Sequence, residues 1–144
     1  MRRQAGFTLI ELVMTLIIIG ALSVVAYARF NPAIFDLRAA ADELLAAIRY
    51  AQERSMSHSG VSSYSISING QGYMVNRDGG AVTHPVTGNS TYSRNWTAIT
   101  ISPTASLSFD GNGDPGLASP LVLTLQNGSE SASITVENVT GFAR

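Results

Sequence analysis

A single carboxylate interrupts the longest apolar run of the sequence. Residues 7–28 read FTLIELVMTLIIIGALSVVAYA, and Glu11 is the one charged residue among them. At about 1.5 Å rise per residue, a helix of this length can cross a hydrocarbon core of roughly 30 Å. A charge inside such a helix costs about 2.5–3.5 kcal/mol at the centre and somewhat less near an end. The pattern predicts a membrane-spanning helix in which Glu11 has a partner that neutralises it.

A second group of acidic and amide side chains could bind a cation. Asp110, Asn112 and Asp114 alternate with glycines, which is the spacing that opens a calcium loop. However, Pro115 stands where an EF-hand has glycine, and Leu121 stands where it has a bidentate glutamate. Asp, Asn and Gly are also the residues that favour tight turns. A turn is the preferred interpretation, and calcium stays open as the alternative.

The remaining reactive residue types are sparse. The 144 residues include no cysteine, which excludes disulfides and thiolate metal sites, and the two histidines, His58 and His84, have no nearby acidic pattern. None of the serines lies in a G-x-S-x-G motif. We therefore expect neither an enzyme nor a bound cofactor or metal.

The elements around Glu11 follow from charge and periodicity. Arg2 and Arg3 precede the apolar run, so the positive-inside bias predicts a single-pass protein with a cytoplasmic N-terminus and its C-terminal part outside the inner membrane. Proline at Pro32 predicts a kink near residues 30–34. Helical periodicity then resumes over about 35–58, closed by Gly60. The expected apolar stripe of this second helix consists of Leu37, Ala41, Leu44, Leu45, Ile48 and Ala51.

After Gly60 the sequence period changes from helical to alternating. Strands are predicted over residues 64–68, 73–76, 96–101, 106–110, 121–126 and 131–136, with 81–95 mostly loop. Asn127-Gly128 predicts a hairpin between the last two. The predicted fold is therefore α+β: a long N-terminal transmembrane helix, kinked near Pro32, followed by an antiparallel β-sheet domain packed on the second helix.

The segment Gly6-Phe7-Thr8-Leu9-Ile10-Glu11, after a short basic leader, resembles the class III signal of type IV pilins and of the pseudopilins of type II secretion. The resemblance implies that prepilin peptidase cleaves between Gly6 and Phe7 and that Phe7 is N-methylated. It also implies that Glu11 pairs with the new N-terminus of a neighbouring subunit during filament assembly. The predicted segments are a leader at 1–6, a transmembrane and polymerisation helix at 7–30, an amphipathic helix at 31–58 and a pilin-like β domain at 59–144.

A weaker similarity extends along the chain. Ala46-Ala47-Ile48-Arg49-Tyr50-Ala51-Gln52 resembles a helix segment of the H-type minor pseudopilins and of related minor pilins, including those of MSHA-type pili. The spacing of Gly72-Tyr73, Trp96, residues 108–111 and Thr140-Gly141 is similar to that group as well. The resemblance implies a minor subunit of a type IV pilus or type II secretion pseudopilus. Its partners would be other pilin subunits, prepilin peptidase and, before assembly, the inner membrane.

Two other functions stay open. Ala26-Tyr27-Ala28 could be the cleavage site of a conventional signal peptide on an envelope protein, although Glu11 would then lie inside the apolar region of that signal. DNA-uptake minor pilins have a C-terminal tail resembling G-R-x-R, whereas this chain ends Gly141-Phe142-Ala143-Arg144. Without residues 1–6 the chain has seven arginines against ten acidic residues, a net side-chain charge of −3. A nucleic-acid partner is therefore not expected.

Overall fold

The computed structural model describes residues 7–29, 31–58 and 63–144. The chain divides into two compact units, Met1–Pro32 and Ala33–Arg144. In its described part the first unit contains the helix α1 (Leu9–Arg29). The second unit contains the helix α2 (Pro32–Ser57) from its second residue onward, followed by eight short strands among the described residues.

Helix α1 is apolar around its whole circumference. Its residues are exposed within the chain as far as the side chains are described, and Leu9–Tyr27 is long and apolar enough to cross a membrane. A helix that is hydrophobic on every face needs an apolar surrounding, which here lies outside the chain itself. The predicted spanning segment is thus a helix of the expected length and composition.

Helix α2 begins three residues earlier than predicted. Its first residue is Pro32, a position where proline is favoured because its missing N–H would have no partner there in any case. The helix ends at Ser57, one residue before the predicted end, and Gly60 lies outside the described residues. The predicted kink near Pro32 includes Phe30, which also lies outside them. Helical structure ends at Arg29 and resumes at Pro32.

The face of α2 that packs on the strands is rotated slightly from the predicted stripe. Ala41 and Leu45, which belong to the predicted stripe, are only partly buried. Ala40 and Ala47, which lie beside that stripe, are buried, so the sheets contact the helix on a face rotated toward these two residues. Small side chains at these two positions allow a close approach of the sheets. The buried residues of the helix are Leu37, Ala40, Leu44, Ala47, Ile48, Ala51 and Ser55.

The strands form two antiparallel sheets. The strands are β1 (Tyr64–Asn69), β2 (Gly72–Arg77), β3 (Gly80–Ala81), β4 (Tyr92–Asn95), β5 (Thr100–Ser102), β6 (Ala105–Phe109), β7 (Leu121–Asn127) and β8 (Glu130–Val136). One sheet has the order β3-β2-β1-β6 with β4 also paired to β2, and the other has the order β5-β7-β8. The hairpin predicted at Asn127-Gly128 is present as β7–β8, and β1 and β2 form a second hairpin.

The prediction was wrong between residues 81 and 101. β4 lies in the stretch predicted as loop, and β3 ends at the first residue of that stretch. Of the strand predicted over 96–101, only Thr100 and Ile101 lie in a strand, β5. β4 is polar, so its own sequence gives little strand signal; it forms because it pairs with β2 from Gly72 to Val75. Gly72 permits this pairing, since a Cβ atom there would collide with the carbonyl oxygen of Arg94.

Both sheets and α2 share one hydrophobic core. Fully buried residues come from the helix (Leu44), from the first sheet (Ile66, Leu107) and from the second (Leu123, Leu125). Burying each such side chain contributes about 1.5–3 kcal/mol. The predicted α+β class, with an apolar N-terminal helix before an antiparallel sheet domain on a second helix, is confirmed.

Candidate functional site

The start of α1 is fixed by a threonine that the sequence analysis did not single out. Thr8 precedes the helix, and its Oγ1 accepts a hydrogen bond from the backbone N–H of Glu11 at 3.3 Å. This is the first half of a capping box, in which a Thr side chain caps the third helical residue. The signal was present in the sequence as Thr-x-x-Glu before an apolar run. Thr8 thereby sets the first turn of the helix, to which Glu11 belongs.

In the reciprocal half of a capping box, the Glu side chain would bond back to the N-cap backbone, and Glu11 does not do this. Within residues 7–29, 31–58 and 63–144, its carboxylate has no hydrogen-bond or ion-pair partner. The other polar residues of the helix interior behave differently. Thr15 Oγ1 donates to the Leu12 carbonyl oxygen at 2.8 Å, and Ser23 Oγ donates to that of Ile19 at 2.7 Å. Thr15 and Ser23 are thus satisfied within their own helix, whereas Glu11 is not.

The predicted processing site lies at the edge of the described chain. Gly6 lies outside the described residues, and Phe7 is 85% exposed immediately before the helix. Glu11 is exposed on the first turn. Cleavage, methylation and pairing with a neighbour are covalent and intermolecular events, so these roles of Gly6, Phe7 and Glu11 remain predictions.

The predicted turn at Asp110 has defined hydrogen bonding. Asp110 Oδ1 accepts hydrogen bonds from the backbone N–H groups of Asn112 and Asp114, both at 2.8 Å. These hydrogen bonds, of which the one from the Asp114 N–H has the largest effect, hold the pKa of the Asp110 carboxyl below its usual value. The carboxylate acts as a cap for its own loop, in the manner of an Asx-turn. The described residues contain no group of three or more acidic or histidine side chains arranged for a metal ion.

Two arginines, one on α2 and one at the C-terminus, form contacts within the domain. Arg49 Nη2 donates to the Ala143 carbonyl oxygen at 2.9 Å, and its guanidinium lies 5.7 Å from the ring centre of Phe142. Arg144 forms a 3.0 Å ion pair with Glu137. Phe142 stands where the G-R-x-R tail has its first arginine. In this chain its ring packs against the guanidinium of Arg49.

A groove on the second unit was not predicted. We call it the α2 groove: a depression of about 360 Å³ between one side of α2 and the β4–β5 connection. The helix contributes residues spaced by three, four and seven positions, which share one face. The lining residues are Asp36, Ala39, Ala40, Glu43, Asn127 and the segment 94–99. The sequence signal was this spacing beside the apolar stripe. Of the segment that completes the groove, residues 96–99 had been predicted as strand and residues 94–95 as loop.

One wall of the α2 groove is an ordered polar cluster. Glu43 accepts a hydrogen bond from the Tyr73 hydroxyl at 3.3 Å and lies 3.7 Å from the Arg94 guanidinium. Burial, and next the Glu43 carboxylate, raise the pKa of Tyr73 well above its usual value. The ring of Tyr73 packs against Trp96 with centroids 5.8 Å apart. Glu43 is therefore held in place and its charge is compensated by Arg94.

Comparisons with known proteins agree with these features. The family model for the prokaryotic N-terminal methylation motif matches residues 1–27, and the model for the type II transport protein GspH matches residues 40–140. No curated protein sequence matches significantly. The crystal structure of the type IV minor pilin FimU from Pseudomonas aeruginosa is similar, with a TM-score of 0.55 and 18% identity over 75% of this chain and 90% of that one. At this identity the similarity concerns the fold alone.

Proposed function

The chain belongs to the family of the type II transport protein GspH, and we propose that it is a minor structural subunit of a type IV pilus or type II secretion pseudopilus. In this role the chain is a building block and not an enzyme. The observation that carries the proposal is Glu11, a carboxylate that has no partner among the described residues and lies on a helix that is otherwise mostly apolar and exposed. The methylation-motif match over residues 1–27 includes this carboxylate and supports the proposal.

The proposed processing creates a partner for Glu11, which has none among the described residues. Cleavage between Gly6 and Phe7 would expose an α-amino group at Phe7, which stays cationic when N-methylated. Within one chain this amine and the Glu11 carboxylate both lie near the start of α1, and a neighbouring copy displaced along the helix axis could present its amine to the carboxylate. Two opposite charges attract much more strongly in a low-dielectric helix bundle than in water. An unpaired buried charge is strongly unfavourable, so each added subunit is selected for the register that forms the pair.

Before assembly, the subunit would sit in the inner membrane. Arg2 and Arg3 would keep the N-terminus cytoplasmic, and the sheet domain would lie in the periplasm. The proposed partners are other pilin or pseudopilin subunits and prepilin peptidase. DNA uptake is disfavoured as the function because Arg49 and Arg144 already bind the Ala143 carbonyl and Glu137. The net side-chain charge of −3 for the chain from Phe7 onward also opposes nucleic-acid binding.

The test replaces Glu11 by its neutral isostere. We expect full-length Glu11→Gln to reach the membrane at the wild-type level and to be found in sheared filaments at about a tenth of that level or less, since truncating one partner of a buried charge pair costs about 2–5 kcal/mol. Thr15→Val is the matched control, because it removes a polar group that bonds only its own helix. Membrane and filament fractions are compared by immunoblotting. Wild-type incorporation of Glu11→Gln would contradict the proposed ion pair.

A further inference from the structure

The α2 groove contains one charge that no described residue compensates. Its ionisable groups are Asp36, Glu43 and Arg94, which together carry one net negative charge. Arg94 and the Tyr73 hydroxyl both contact Glu43. Asp36 is exposed and has no hydrogen bond or ion pair to any described residue. The uncompensated charge of the groove is therefore at Asp36.

The other surfaces of the groove suit a planar cation. Ala39 and Ala40 form a floor of small side chains, and the half-buried indole of Trp96 forms part of a wall. A guanidinium is attracted by the face of an aromatic ring and forms paired hydrogen bonds with a carboxylate. A carboxylate, an indole and open space beside small residues are together complementary to an arginine side chain.

Among the arginines whose side chains are described, Arg38 is available to fill such a groove in another copy. The arginines whose side chains are described and which contact a carboxylate, a carbonyl or an aromatic ring are Arg49, Arg54, Arg77, Arg94 and Arg144. Arg38 is exposed on α2 and has no such contact with any described residue. Asp42 follows one turn later but forms no ion pair with it within 4.0 Å in the described chain.

Asp36 and Arg38 cannot meet within one chain. Residues two apart on a helix point about 200° away from each other around the axis, so they do not face each other. Leu37, between them in sequence, is buried against the sheets. The acidic groove and the unpartnered arginine thus lie on opposite sides of α2, at nearly the same height.

We propose that Arg38 of one subunit inserts into the α2 groove of the next subunit, where its guanidinium pairs with Asp36 and lies against Trp96. This contact uses two different surfaces of the chain, so it is heterologous, and repetition of such a contact gives an open helical filament. The proposal rests on the proposed function, because it requires a second copy of this chain as the neighbouring subunit in the filament. It adds a second contact, above the membrane, to the one at Glu11.

Charge exchange tests the contact. The full chain is expressed in its native host in place of the original copy, as Asp36→Arg, Arg38→Asp and the double variant with both changes. We expect each single variant to lose about tenfold in filament incorporation, as when one partner of a close charge pair is removed. The double variant should recover to within about twofold of wild type, since the reversed pair attracts equally. Glu53→Arg, another exposed acidic position on α2, is the control and should be incorporated normally.

Recovery in the double variant is diagnostic because the two positions do not touch in one chain. Coupling between them must then pass between chains. Thermal unfolding of each purified variant in detergent should match wild type, which separates lost contact from lost folding. Single variants that are incorporated normally, or a double variant no better than either single one, would overturn the proposal.

The one tryptophan of the chain gives an independent readout. Because Trp96 lines the groove, wild-type assembly should shift its emission to shorter wavelength, and Arg38→Asp should reduce that shift in the subunits that remain assembled. An unchanged emission on wild-type assembly would also overturn the proposal. If wild type itself is absent from filaments, the proposed function fails and this contact with it. If wild type and Asp36→Arg are equally present, only the groove contact fails.

Discussion

Gly141 connects the end of the chain to α2, and replacing it by alanine should be unusually costly. Its φ is +64°, a backbone conformation that residues other than glycine rarely adopt. A Cβ atom there would collide with the Gly113 carbonyl oxygen and lie 2.7 Å from Gln52 Nε2. Gln52 Nε2 donates to the carbonyl oxygens of Gly113 at 3.0 Å and Thr140 at 2.7 Å. The substitution therefore strains the backbone and displaces the side chain that joins two loops to the helix.

The magnitude follows from a matched glycine. Gly128 has a φ of +62°, but a Cβ atom added there would meet no other atom within 4 Å, so its replacement by alanine is strained only in the backbone. That strain costs about 1–2 kcal/mol at either site. At Gly141, overpacking adds about 1–3 kcal/mol, and weakening the two Gln52 hydrogen bonds adds about 1 kcal/mol. We expect Gly141→Ala to lower the free energy of unfolding by about 3–6 kcal/mol, against about 1–2 kcal/mol for Gly128→Ala.

Urea unfolding of the full chain in mild detergent, followed by Trp96 fluorescence, measures both variants on one scale. Trp96 lies in the same unit as both glycines, so it reports on the unit that the substitutions affect. Equal losses at Gly141 and Gly128 would refute the reasoning, because the close contacts with Gly113 and Gln52 would then contribute nothing.

Two further predictions concern α2 and its contacts. Because burial and the Glu43 carboxylate raise the pKa of Tyr73, the folded state keeps a proton that the unfolded chain loses near pH 10; stability should be intact below that pH and fall above it. In urea titrations Tyr73→Phe should flatten this alkaline loss without removing it, because burial also raises the pKa of Tyr92; an equally steep loss would contradict the assignment. Ser55 is buried and bonds both backbone groups of the first residue of β1, so Ser55→Ala should cost about 1–3 kcal/mol in thermal unfolding. The exposed control Ser57→Ala should cost less than about 0.5 kcal/mol, and equal effects would show that the buried bonds are not important.

The parts of the fold that were predicted correctly have local signals. The length of α1 follows from its apolar run, and Asn127-Gly128 marks the β7–β8 hairpin directly. The missed elements depend on partners distant in sequence. β4 is a strand because it pairs with residues 72–75 of β2. Nothing in the sequence of residues 92–95 indicates that pairing. The exact rotation of α2 likewise depends on the sheets, which cover Ala40 and Ala47 rather than Ala41 and Leu45.

The candidate sites divide in the same way. Glu11 could be identified from sequence because a charge within an apolar run is conspicuous without any knowledge of its surroundings. The α2 groove could not, since it needs Asp36 and Glu43 on the helix together with a loop almost sixty residues further along the chain. Arg38 could not be distinguished from the other described arginines by sequence, because only the structure shows that those contact a carboxylate, a carbonyl or an aromatic ring.

The most direct test of the whole account is the intact mass of the exported chain. If the chain is a processed filament subunit, mass spectrometry of protein purified from the envelope will show a polypeptide that begins at Phe7 and carries one added methyl group at its N-terminus. A chain that begins at Arg29, after conventional signal cleavage, or one that still carries Met1, would contradict the account, because no α-amino group would then exist at Phe7 to pair with Glu11.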